Sequence, residues 1–155
     1  MLGLVNNGGY IEDAWLPMIE DAIVAGLDIV SGMHMKLDGC VGPSGQTLRD
    51  MANGSGVVLH NLRHHDGPLP VGTGAKRKGK RVLMVGTDCG SGKMFTAIAL
   101  TRALQAMGQH AEFIATGQCG ILVSGGGIAI DAVGADFISG AVETISPETN
   151  GIHVI

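Results

Sequence analysis

Long hydrophobic runs are missing from this chain. No apolar stretch approaches the roughly 18–20 uninterrupted residues that a helix needs to cross a bilayer, so no membrane span is expected. The first residues lack a basic region followed by an apolar core, so no secretory signal is expected either. Cysteine is scarce. Cys40, Cys89 and Cys119 are far apart, odd in number and form no C-x-x-C pair. That argues against a zinc site or a disulfide framework and fits a reducing, cytoplasmic setting. Positive charge is not in excess: the formal net charge is −4, which gives a nucleic-acid partner no overall electrostatic support. Aromatic residues are only 3% of the chain, which leaves aliphatic side chains to build its core.

What the 155 residues do contain is glycine, 26 of them, clustered at the ends of short apolar runs. Short apolar runs alternate with helical stretches, which is how the tight strand-to-helix turns of an α/β protein look. With 45% hydrophobic residues the chain can bury a core, as one ordinary domain or two small halves.

The segment Arg81–Thr96, RVLMVGTDCGSGKMFT, carries the strongest signal. The apolar run Val82–Val85 stops at a glycine-rich turn, and Gly92-Lys93 leads into a helical pattern. Strand, loop and helix in that order aim several backbone N–H groups and a helix N-terminus at one spot, where phosphate oxygens bind. Lys93 would then reach the phosphates as a mobile point charge. The phosphate-binding candidates are Gly86, Thr87, Asp88, Cys89, Gly90, Ser91, Gly92, Lys93 and Met94. The strict P-loop spacing, G-x-x-x-x-G-K-[ST], is not met. Gly86 sits one position early, and Met94 stands where a hydroxyl would ligate magnesium. Phosphate binding is therefore expected more firmly than magnesium-dependent hydrolysis, and no metal ligands are assigned.

The N-terminal part reads as β-α-β-α-β. Strands are expected at Leu2–Val5, Asp28–Ser31 and Val57–His60. Helices are expected over Pro17–Ala25, with Ile19, Ala22 and Ile23 buried, and over Gln46–Ala52 with Ser44 as N-cap. After the phosphate loop, helix Lys93–Met107 should bury Ala97, Leu100, Leu104 and Met107. A strand follows at Glu112–Ala115, a turn over Thr116–Ile121, a helix over Asp131–Ile145 and a strand from Ile152. The fold class is thus α/β: a partial Rossmann-like N-terminal unit (1–66), a Gly/Pro/Lys-rich linker (67–80), and a P-loop NTPase-like unit with a mainly parallel sheet (81–155). The basic cluster Lys76–Arg81 reads as a solvated connection or as positive potential near the phosphate loop. Met1 lies inside an apolar run and the last strand starts where the chain stops. Both units are therefore expected to be incomplete, with exposed sheet edges, marginal stability and self-association into a homo-oligomer.

Other residues leave two readings each. Asp88 either organises the loop as an Asx-type turn or faces a substrate or metal. Cys89 is either a reactive thiol at a helix start or a packing residue. Thr116, Gly117 and Gln118 follow a strand at the end where α/β sheets bind ligands, so Gln118 is a substrate-binding candidate or a polar turn residue. His34, just past the strand Asp28–Ser31, is a candidate general base or substrate contact. His60, His64, His65 and Asp66 make a small cluster that reads as metal-binding or, more simply, as solvated linker.

The loop GTDCGSGK has the spacing of dethiobiotin-synthetase-like P-loops. A closer resemblance covers nearly the whole chain, through AGLDIVSGMH (Ala25–His34), RVLMVGTDCGSGKM (Arg81–Met94), FIATGQCGILVSGGGIAIDAV (Phe113–Val133) and ADFISGAVE (Ala135–Glu143). These segments resemble the D-glutamate N-acetyltransferase-like family, in which a Rossmann-like domain precedes a P-loop domain and methionine after Gly-Lys is usual. The resemblance implies transfer of an acetyl group from acetyl-CoA to the amine of a D-amino acid such as D-glutamate. It also implies that Gly86, Thr87, Asp88, Cys89, Gly92 and Lys93 belong to the loop, and Thr116, Gly117 and Gln118 to the second turn. Family chains are longer at both ends, which implies little activity for these residues alone. The competing expectations are an ATP- and magnesium-dependent kinase or ligase of the dethiobiotin-synthetase type, and a non-catalytic nucleotide-binding module. All three take a small-molecule substrate or ligand.

Overall fold

The computed structural model describes residues 1–2 and 6–155. The chain divides into two compact units, Met1–His65 and Asp66–Ile155.

In the first unit, strands β1 (Ile29–Ser31) and β2 (Leu59–Asn61) pair in parallel, with Ile29 opposite Leu59 and Ser31 opposite Asn61. The Leu2 N–H donates to the Val30 carbonyl at 2.8 Å, so the chain start bridges β1 in parallel as well. The rest of the strand expected at Leu2–Val5 (residues 3–5) lies outside the described residues. Helix α1 (Leu16–Val24) carries Pro17 in its first turn and buries Leu16, Ile19, Glu20 and Ile23. Helix α2 (Leu48–Ser55) starts later than its pattern implied. Thr47, not Ser44, is the N-cap: its Oγ1 accepts the Asp50 N–H at 3.1 Å. The Ser44 hydroxyl instead donates to the buried Glu20 carboxylate at 2.6 Å, which is the stronger partner. Between helices and sheet lies an aliphatic core that includes Ile19, Ile23, Leu37 and Leu48, each 2% exposed or less.

In the second unit, β3 (Lys80–Val82), β4 (Ala111–Phe113) and β5 (Ile152–Val154) form a parallel sheet in the order β3-β5-β4. The last strand in sequence is therefore the central one. It does not lack neighbours, as its position at the chain end implied; it is paired on both sides, and β3 and β4 are the outer strands. Register places Arg81, His153 and Glu112 side by side across the three strands. His153 is fully buried in that row, with Nδ1 3.7 Å from the Glu112 carboxylate and Nε2 3.1 Å from the Thr149 hydroxyl.

Helix α3 (Lys93–Ala106) packs against β4 and β5 and buries Ala97 and Thr101. Met107, expected in its buried stripe, is 74% exposed, because the helix ends there and Gly108 turns the chain away. The helix expected over Asp131–Ile145 breaks into 3₁₀ turns at Ile130–Ala132 and Ala135–Phe137. Only Ile138–Ile145 is α-helical (α5), since Gly134 has extended ψ and interrupts the ladder. The stretch expected as a turn over Thr116–Ile121 is mostly helix: α4 runs Gln118–Ser124.

Residues 67–80 fall within the second unit and are strapped to α5. A Cβ on Gly140 would lie 1.7 Å from the Pro70 carbonyl oxygen, so strap and helix touch backbone to backbone. The Thr73 and Gly74 N–H groups donate to the Glu143 carboxylate at 2.9 and 2.8 Å. The basic cluster is not simply solvated. Arg77 donates to the Ser146 carbonyl at 2.8 Å and pairs with Glu143 and Glu148, and Arg81 donates to the Pro147 carbonyl at 2.7 Å. Cations are well placed there, where the α5 C-terminus offers unpaired carbonyls.

Candidate phosphate-binding site

β3 ends at Val82, three residues before the end of the apolar run, but pairing continues beyond it. Ile155 donates to the Val82 carbonyl at 2.9 Å and Met84 to the Ile155 carbonyl at 2.8 Å. The chain then leaves the sheet at its carboxyl end and folds into the loop that opens α3. Two glycines make this loop possible. A Cβ on Gly86 would lie 2.3 Å from Ser91 Oγ and 3.1 Å from Lys93 Cγ, so any larger residue would displace those side chains. Gly92 is the N-cap of α3 at φ +83°, a left-handed conformation that costs glycine nothing.

Inside the loop, side chains hold the backbone. The Lys93 ammonium donates to the Asp88 carbonyl and lies 3.5 Å from Ser91 Oγ, and the Ser91 hydroxyl donates to the same carbonyl at 2.8 Å. Asp88 turns its carboxylate onto its own backbone: Oδ1 accepts the Cys89 N–H at 2.6 Å. That bond, aided by the Cys89 thiol and by Lys93, holds the Asp88 carboxyl below its ordinary range. Asp88 thus bonds its own loop one residue on, not two as in an Asx turn, and its charge is engaged locally. The two hydroxyls near Lys93 are engaged too, Ser91 on Asp88 and Thr96 on the Gly92 carbonyl at 3.1 Å.

The loop opens on a cleft of about 450 Å³ built entirely from second-unit residues. Cys89, Gly90, Gly92, Lys93 and Met94 form one side, and Thr116, Gly117 and Gln118 the other. The two motifs read separately in the sequence are therefore walls of one site. They meet because β5 sets β3 and β4 two strands apart with their carboxyl ends level. Sequence reasoning missed the apolar part of the wall, Leu83, Met84, Phe95, Phe113, Ile114 and Ile155, and the second thiol, Cys119. Most of these residues sit just past strand ends, a position that marks a ligand-facing rim only once the strand order is known.

His34 is not among the residues that line this cleft in the second unit. It is exposed in the first unit, where its N–H donates to the Gly9 carbonyl at 2.7 Å and its ring covers Gly9 so closely that a Cβ there would lie 2.2 Å away. His60 faces Asp28 at 3.8 Å. Among the described residues, no three His, Cys, Asp or Glu side chains converge as a metal site would require. No helix among them is long and apolar enough to cross a membrane.

A Rossmann-like α/β unit followed by a P-loop α/β unit, with a cleft at the carboxyl end of the second unit's parallel sheet, defines the class of this protein. The chain belongs to the DUF1611 family. Residues 1–65 match its Rossmann-like domain of unknown function, and residues 70–155 match its P-loop domain of unknown function. Two curated relatives are named D-glutamate N-acetyltransferase. The one from Pseudoalteromonas sp. is 46% identical over 99% of this chain and 45% of its own length. The one from Tritonibacter scottomollicae is 40% identical over 99% of this chain and 44% of its own. A crystal structure of a DUF1611 family protein from Anabaena variabilis superposes with a TM-score of 0.82 at 33% identity, over 98% of this chain and 44% of that one. The chain thus spans less than half the length of these relatives.

Proposed function

We propose that the chain carries the phosphate-binding part of an N-acetyltransferase that moves an acetyl group from acetyl-CoA to the amine of a D-amino acid such as D-glutamate. The observation that carries this reading is the make-up of this cleft. An ammonium, Lys93, and a helix N-terminus stand beside an apolar wall that includes Phe95 and Phe113. CoA has that same duality, with a pyrophosphate and a ribose phosphate joined to an adenine ring and a flexible arm. Lys93 is held by a carbonyl and a hydroxyl rather than ion-paired to a carboxylate, so phosphate oxygens are better partners for it than its present ones. The engaged hydroxyls of Ser91 and Thr96, with Met94 at the position after Lys93, support phosphate binding without a magnesium ligand. The names of the two curated relatives support the transfer itself. Gln118 and Thr116 across the cleft are the polar groups that would orient the bound molecule.

The test pairs binding with turnover. Acetyl-CoA is expected to bind the chain by calorimetry. Any CoA release is expected to need an amine acceptor and to be faster with D-glutamate than with L-glutamate. Turnover of ATP with magnesium in the absence of acetyl transfer would favour the kinase or ligase reading. Binding without either turnover would leave a ligand-binding module.

A further inference from the structure

The cleft holds a feature that phosphate binding does not use. All three cysteines are free thiols. Cys89 and Cys119 are exposed, and both line the cleft that Lys93 lines. They come from different elements, Cys89 from the loop before α3 and Cys119 from the first turn of α4, so the tertiary structure alone puts two thiols in one cleft. Cys40 differs in every respect. It is 5% exposed in the core of the first unit, its Sγ lies 3.5 Å from the Lys36 carbonyl, and burial pushes its thiol up. Thiol–disulfide exchange needs a sulfur that can reach the incoming disulfide, so access sorts these cysteines into a pair in the cleft and one sealed away.

We propose that Cys89 and Cys119 are a modification site for low-molecular-weight disulfides of the glutathione class, and that modification closes the phosphate cleft. A cleft thiol gives its proton to solvent and its sulfur attacks one sulfur of the disulfide. A protein–glutathione S–S bond forms, the original S–S bond breaks, and the departing thiolate takes up a proton. The adduct then occupies volume that a nucleotide needs. The inference rests on the cleft being the phosphate site, not on which group is transferred there.

Glutathione disulfide, peptide mass mapping and ADP as cleft occupant test it. Adducts are expected on Cys89 and Cys119 and not on Cys40 in the folded chain. With ADP at about ten times its Kd, both reactions should slow about tenfold, as mass action requires for a shared site. The modified chain should bind ADP about tenfold or more weakly, because the adduct fills the pocket. A chain carrying both Cys89→Ala and Cys119→Ala, whatever its own starting affinity, should show no further loss of ADP binding on the same treatment. Equal reaction at Cys40, an absence of adducts, or adducts that leave ADP binding unchanged would each overturn the proposal. Acetyl-CoA binding measured in parallel separates the two readings: ADP protection without acetyl-CoA binding removes the CoA reading, and acetyl-CoA binding without thiol protection removes the thiol site.

Discussion

The Lys93 ammonium donates to the main-chain carbonyl of Asp88, five residues back along the same loop. The charge that a phosphate would need is thus already folded over the loop and held by a neutral acceptor. Replacing that acceptor by a phosphate oxygen turns a bond with one charged partner into one between opposite charges, and hydrogen bonds to charged groups are worth about 1.5–3 kcal/mol. Lys93→Ala is therefore expected to weaken ADP or CoA binding about 10- to 100-fold, with the far-UV spectrum unchanged. Unchanged affinity by calorimetry would remove the P-loop assignment.

Magnesium should change that affinity little. The residue after Lys93 is Met94, and the nearby hydroxyls of Ser91 and Thr96 already donate to main-chain carbonyls. Titration with ADP in the presence and absence of magnesium decides the point. A large gain on adding the metal would favour ATP as the ligand.

The loop's two nearest-looking glycines should respond differently to alanine. At Gly86 the new methyl would meet Ser91 Oγ at 2.3 Å, whereas at Gly90 it would meet nothing within 4 Å. Gly86→Ala must push Ser91 and Lys93 aside and is expected to lower ADP affinity about tenfold, the scale of one displaced hydrogen bond to a charged group. Gly90→Ala is expected to leave it nearly unchanged. Similar losses at both sites would show that the loop rearranges on binding.

Acid should loosen the strap on α5. The Thr73 and Gly74 N–H groups, helped by the Thr73 hydroxyl and Arg77, hold the Glu143 carboxyl below its ordinary value of 4.5. A carboxyl lowered in the folded state contributes stability that is complete above its unfolded value and disappears as the pH falls through the folded one. Thermal melts should therefore lose stability below 4.5, and Glu143→Gln should be less stable at neutral pH with a flatter acid limb. Asp38 behaves alike in the first unit. Burial would raise its carboxyl, but hydrogen bonds from Arg49 and Asn61 outweigh that and lower it. A Glu143→Gln chain with wild-type stability at neutral pH would show that the strap is held by packing alone.

We also propose that the isolated chain self-associates. β3 and β4 are the outer strands of the second sheet, and Leu83, Val85 and Phe95 are 66%, 78% and 75% exposed. Open strand edges and exposed apolar side chains pair readily with other copies. Sedimentation velocity should show mass rising with concentration. A monodisperse monomer with a sharp, concentration-independent unfolding transition would refute this.

Helix ends show how far local information reaches. Pro17 and Gly26 bracket α1 within about a residue of their positions in the pattern, because proline and glycine act through their own backbone torsions. Ser44 was the wrong cap for α2 for a reason that lies elsewhere in the chain: the Glu20 carboxylate, 24 residues away, takes its hydroxyl. Val82–Val85 is legible as an apolar run and Glu112–Ala115 as a strand. Their hydrogen-bonded limits are set by the partner strand and so are not.

The amino-acid sequence by itself determined the α/β class and the strand–loop–helix around Gly86, Gly92 and Lys93. Glycine turns, helix periodicity and a lysine at a helix start are short-range properties that neighbouring residues settle among themselves. Only the tertiary structure decided that the last strand is the middle one, that Thr116–Gln118 faces the phosphate loop, and that Cys89 and Cys119 share a cleft. Parallel strands are joined by crossovers rather than turns, so their order is chosen by burial of whole faces across long stretches of chain, and no local pattern records it.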